Sequence, residues 1–134
     1  MSKIYNSIGT MSGTSFDGID VSLISTNGKD IFDVKNNLYE KFDEQIKSNL
    51  KKIKESIKNY KDINEIKTSK LFVEVENQVT DIHIKLIKEL ILKSKEKINV
   101  IGFHGITLFH DAKNKFTFQM GNITKLSENL KLPI

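Results

Sequence analysis

Met11-Ser12-Gly13-Thr14-Ser15-Phe16-Asp17-Gly18-Ile19-Asp20 is the stretch on which the reading of this chain turns. It lies between two apolar, alternating segments. Ile4 to Met11 reads as a short strand, and Gly18 onward alternates Ile19, Val21 and Leu23 against Asp20 and Ser22 up to the turn signal Asn27-Gly28. Between those strands stand two glycines, three hydroxyls and a carboxylate. A glycine-bearing turn supplies positive φ and lets successive N–H groups converge on a phosphate oxygen, while hydroxyls add donors. Asp17 would repel phosphate directly, so its place in such a site is to hold Mg²⁺ or a water of its shell. A plain hairpin turn, with Ser and Thr bonded to their own backbone, explains the same composition equally well. Neither GxxxxGK[ST] nor GxGxxG occurs, which removes the P-loop and dinucleotide-fold readings.

Outward from the turn, Ile31 to Tyr39 supplies a third strand, with Asn36-Asn37 marking a bulge. The period then changes. Phe42, Ile46, Leu50, Ile53 and Ile57 define one face of a helix beginning near Asp43, and Val75, Val79, Ile82, Leu86 and Leu90 define a longer helix from near Ser69. Ile98 to Phe103 reads as a fully buried strand ended by His104-Gly105. Lys115 to Met120 is a further strand, Gly121-Asn122 a turn, and Thr124 to Leu130 a short helix. The class is α/β, in one unit from 1 to 134, and Leu132-Pro133-Ile134 looks like entry into another strand.

Composition narrows the chemistry. The 134 residues contain no cysteine, which excludes disulfides and thiolate sites. The net charge is +4, but every one of the 21 basic residues is lysine, spread among acidic residues on amphipathic segments. That pattern argues against nucleic acid, and no apolar run is long enough for a membrane span. No signal-like segment opens the chain, so the expected location is cytoplasmic. His83 is expected on a half-exposed helix face, and His110-Asp111 lacks further ligands at a metal spacing.

Three blocks carry a resemblance. Ile8 to Asp20 is similar to the opening signature of anhydro-N-acetylmuramic acid kinases, with Phe16 where Leu is usual. Ile101 to His110 (IGFHGITLFH) resembles the family's IG-x-HGQT block, with Ile106 in place of Gln. Phe118 to Asn122 (FQMGN) resembles its LQ-[IL]-G-[DN] block. The resemblance implies a partial first lobe of the ribonuclease H-like, actin-like ATPase fold, with the second lobe absent. It also implies ATP-dependent phosphorylation with hydrolytic ring opening of 1,6-anhydro-N-acetylmuramic acid, in peptidoglycan recycling, by an enzyme whose full-length form is a homodimer. ATP would be held by Gly13, Thr14, Ser15, Phe16, Asp17, Gly18, Ile19 and Asp20, with Mg²⁺ at Asp17. The amino sugar would meet His104, Gly105 and Thr107. The family's catalytic base belongs to a later segment, so no residue here is assigned as catalytic and the chain alone is expected to be inactive. The alternative is a non-catalytic or split subunit that needs a second chain.

Overall fold

The computed structural model describes residues 3–134. Strands β1 (Tyr5–Met11), β2 (Gly18–Thr26) and β3 (Phe32–Lys41) form an antiparallel meander. Strand β4 (Val100–Gly102) joins it in parallel beside β1, giving the order β3-β2-β1-β4. Alternation fixes the register. Ile8, Ile19, Val21, Leu23 and Ile101 all point to one face and are buried. A bulge is present, but it falls just before the asparagine pair: Asn37 pairs Ser22, Asn36 pairs Leu23 and Val34 pairs Ile24, leaving Lys35 as the extra residue.

Helix α3 (Lys70–Lys93) packs on that face against β2 and β3, and α1 (Glu44–Ser56) packs on α3. Both start at the expected caps. Asp43 Oδ1 accepts from Ile46 N at 2.7 Å and Ser69 Oγ from Phe72 N at 3.2 Å. A 3₁₀ turn (Tyr60–Asp62) and a four-residue helix α2 (Ile63–Ile66) link them. Helix α4 (Ile123–Leu130) is capped by Asn122 and buries Leu126.

Three expectations change. The segment from Ile98 to Phe103 is a strand only at 100–102, and Val100 is exposed, because the helices cover one face of the sheet and not the other. Residues 106–111 are themselves a strand, β5 (Ile106–Asp111), which pairs with β6 (Phe116–Met120) as a separate hairpin. His83 is buried rather than half-exposed: it sits four residues from both Val79 and Ile87 on the core stripe of α3. The final residues do approach the sheet, where Ile101 N donates to Pro133 O at 2.9 Å.

Candidate functional site

Strands β1 and β4 run parallel, so the turn that follows β1 and the His104-Gly105 corner that follows β4 leave the sheet at the same end. Ligands of α/β sheets bind at the carboxyl ends of parallel strands. A contact ties the two segments together: His104 N donates to Thr10 Oγ1 at 3.4 Å.

Within the turn, the groups divide into those that build it and those left over. Ser12 is buried and its hydroxyl donates to Gly18 O at 2.9 Å, so it closes the loop and is not a ligand donor. Phe16 N donates to Gly13 O. The positive φ expected at glycine falls instead on Phe16 (φ 57), whose ring turns inward and is 2 % exposed. Gly18 is needed for a different reason: a Cβ there would lie 2.2 Å from Glu40 O, with the Tyr39 ring at 2.8 Å. Ile19 is fully buried, so Phe16 and Ile19 can offer a ligand only their backbone. Thr14 and Ser15 are exposed, and among the described residues the N–H groups of Gly13, Thr14 and Ser15 have no protein acceptor.

Asp17 is exposed and forms an ion pair with Lys47 Nζ of α1 at 2.5 Å. The Lys47 ammonium, with help from the Ser15 hydroxyl, holds the Asp17 carboxyl below the usual carboxylate range, and the same pair raises Lys47. Asp20 lies on the open face of the sheet, beside Met11 and Tyr39 in register. Among the described residues no group of three or more acidic or histidine side chains converges as a metal site. A Mg²⁺ ion here would be held by Asp17, with phosphate and water completing its shell. An exposed carboxylate fits that role.

At the second corner, His104 Nδ1 lies 3.0 Å from Gly105 O, which makes Nδ1–H the donor and leaves Nε2 as acceptor. Gln119 Nε2 then donates to His104 Nε2 at 3.0 Å and to Thr107 Oγ1 at 3.2 Å. Both amide hydrogens are used, so the cluster presents the Gln119 carbonyl and the Thr107 O–H outward. Gln119 was not among the expected site residues, although the FQMGN block contained it. Gly105 has φ 72, and a Cβ there would meet Met120 O at 2.5 Å. Ile106 is fully buried. His110 bonds Thr117 Oγ1 at 2.8 Å across the hairpin.

The family model for anhydro-N-acetylmuramic acid kinase matches residues 5–134. This chain belongs to that family. A curated relative named anhydro-N-acetylmuramic acid kinase from Pelagibacter ubique is 37% identical over 131 residues, covering 98% of this chain and 34% of the relative. Relatives of the same name from Zymomonas mobilis and Rhizobium etli are 32% and 31% identical, each with 36% of its length covered. The chain thus spans about a third of the curated relatives it matches, and it has the α/β architecture of part of an actin-like ATPase-fold lobe.

Proposed function

We propose that this chain carries the phosphate-facing and sugar-facing corners of an anhydro-N-acetylmuramic acid kinase, the remaining groups and the second lobe lying outside these 134 residues. The observation that carries the reading is the meeting of the MSGTSFDGID turn and the His104–Thr107–Gln119 cluster at one end of the sheet. The free amides of Gly13, Thr14 and Ser15 and the two hydroxyls would donate to phosphate oxygens. Asp17 would hold a water or a direct bond of Mg²⁺, with Lys47 releasing or sharing its carboxylate. Mg-ATP, when bound, supplies the phosphoryl group and the charge neutralisation for its transfer. Thr107 O–H and the Gln119 carbonyl would orient hydroxyl groups of an amino sugar. His104 has both ring nitrogens committed, so it positions Gln119 rather than moving a proton.

Catalysis by phosphoryl transfer depends on positioning groups from both sides of a cleft. The 134-residue polypeptide should therefore bind without turnover. Titration with Mg-ATP followed by backbone amide NMR should move signals of Gly13 to Asp20, and the anhydro-sugar those of residues 104–107 and 119. Asp17→Asn should weaken the Mg²⁺-dependent part of nucleotide binding several-fold. Shifts confined to other regions, or none at millimolar ligand, would sink the proposal. Ile106, where the family pattern has Gln, packs into the core, so this substitution gives the split-subunit alternative no support.

A further inference from the structure

Helix α3 buries a hydroxyl among aliphatic side chains. Thr80 is 0 % exposed, next to Val79 and one turn after Glu76. Its O–H donates to Glu76 O at 2.6 Å, so the proton is committed to the helix and a lone pair is left for another donor. That donor is Asn122 N at 3.1 Å, and beside it Gly121 N donates to Glu76 Oε1 at 3.3 Å. One face of α3 thus holds both amides of the turn that follows β6. The same turn presses on the His104-Gly105 corner from another side. A Cβ on Gly121 would stand 2.5 Å from Phe103 Cζ, and a Cβ on Gly105 would stand 2.5 Å from Met120 O. His83, three residues past Thr80, packs edge-on against the Phe103 ring.

We propose that Thr80 is a positioning residue for the sugar-facing corner, setting through the Gly121-Asn122 turn where Gln119 meets His104 and Thr107. The inference rests on the reading above that this cluster faces an amino sugar. Gln119 stands two residues before Gly121, and Met120 between them is fully buried, so a displacement of the turn carries Gln119 with it. The Gln119 amide has to reach His104 Nε2 at 3.0 Å and Thr107 Oγ1 at 3.2 Å together, a fork that tolerates little displacement. Contact with Phe103 and Gly105 sets only a closest approach. The bonds to α3 set the direction from which the turn is held. Of the two anchors Thr80 is the firmer, because its hydroxyl is buried, whereas the Glu76 side chain is half-buried and water can replace it on Gly121 N. Helix α4 has its own cap, Asn122 Oδ1 accepting from Lys125 N at 2.9 Å, so the Thr80 hydroxyl is not required to start it.

Thr80→Val keeps the shape and removes the hydroxyl, while Thr80→Ser keeps the hydroxyl. Ile98→Val, a core change just before β4 and at its end away from the corner, controls for lost stability alone. The 134-residue chains are first compared by NMR without ligand. In the parent and in Thr80→Ser the Gln119 side-chain amide should exchange slowly with water, and the His104 ring should be held as the Nδ1–H tautomer. In Thr80→Val the amide should exchange faster and the ring should average between tautomers, with Ile98→Val like the parent. Titration with 1,6-anhydro-N-acetylmuramic acid then reads the consequence. Thr80→Val should bind about five-fold more weakly, the loss of one hydrogen bond, and the other two variants within about two-fold of the parent. If Thr80→Val does not fold, Gly121→Ala takes its place and should free the same amide, because its Cβ pushes the turn away from Phe103. Unchanged Gln119 and His104 signals in Thr80→Val, or an equal loss of binding in Ile98→Val, would overturn the inference. A parent that binds no sugar while Thr80→Val still frees Gln119 counts against the sugar reading alone and supports the role of Thr80 in placing the cluster.

Discussion

Phe16 occupies a left-handed conformation that costs a bulky residue about 1–3 kcal/mol, and the burial of its ring offsets that cost. The strain is placed between Ser15 and Asp17, where it fixes the direction in which both polar side chains leave the turn. Sequence pattern identified this segment but not the residue bearing the strain, because glycine is the default expectation for positive φ. His83 is the second residue whose role composition hid. Its Nδ1 donates to Val79 O at 2.7 Å, Nε2 is buried with no partner among the described residues, and the Phe103 ring packs edge-on at 5.0 Å. Burial lowers its pKa, partly countered by the bond to Val79. The folded pKa is below the unfolded value near 6.5, so as pH falls the unfolded chain takes up the proton first. The stabilising difference is complete above about pH 7 and declines as pH drops through 6.5, at most about 1.4 kcal/mol per unit for one proton. Urea unfolding at pH 7.5 and 5.5 should show this loss, and His83→Leu should flatten it. A variant as pH-sensitive as the parent would refute the assignment.

The elements show which signals in a sequence carry structure. Helices α1, α3 and α4 were legible because each has a polar cap followed by a run of core residues at helical spacing, as at Asp43 and Ser69. Residues 60–66 were not, since the 3₁₀ turn and α2 are too short to express a period. Strand β5 was missed for another reason. Phe109 directly after Leu108 breaks the apolar–polar alternation in the sequence, although Ile106 and Leu108 are the buried positions, and the pairing register slips between Thr107 and Phe109. This hairpin holds the one departure from the family pattern that could be judged functional or structural. Ile106 is fully buried, and Phe118 on the partner strand stacks on Phe72 of α3 at 5.8 Å. Restoring the family residue with Ile106→Gln would remove a buried aliphatic group and place an amide in its stead. The expected cost is about 2–4 kcal/mol, measurable as a lower urea midpoint with an unchanged slope. A neutral or stabilising effect would mean that position 106 opens toward the Thr107–Gln119 cluster instead of the core.

For the whole molecule, the decisive asymmetry is that helices cover one face of the sheet only. The opposite face carries Phe32 at 68 % exposure, Tyr39 at 54 % and Val34 at 50 %, with Tyr5 and Val100 across the neighbouring strands. Sheets of α/β proteins ordinarily bury such side chains under a second layer. The 134-residue polypeptide should instead bury them by self-association, helped by β3, an edge strand whose outer hydrogen-bonding groups are unpaired in the sheet. The +4 net charge opposes this only weakly once salt screens it. Sedimentation should therefore give an average mass that rises with protein concentration and with salt. Phe32→Glu together with Val34→Thr should shift the species toward monomer without lowering the melting temperature, because both side chains already face water. A parent that stays monomeric at high concentration would show that the exposed aromatics are too dispersed to act as a patch. An association that persists unchanged in the double variant would place the contact elsewhere, on the groove between α3 and α4 where Leu92 is 85 % exposed.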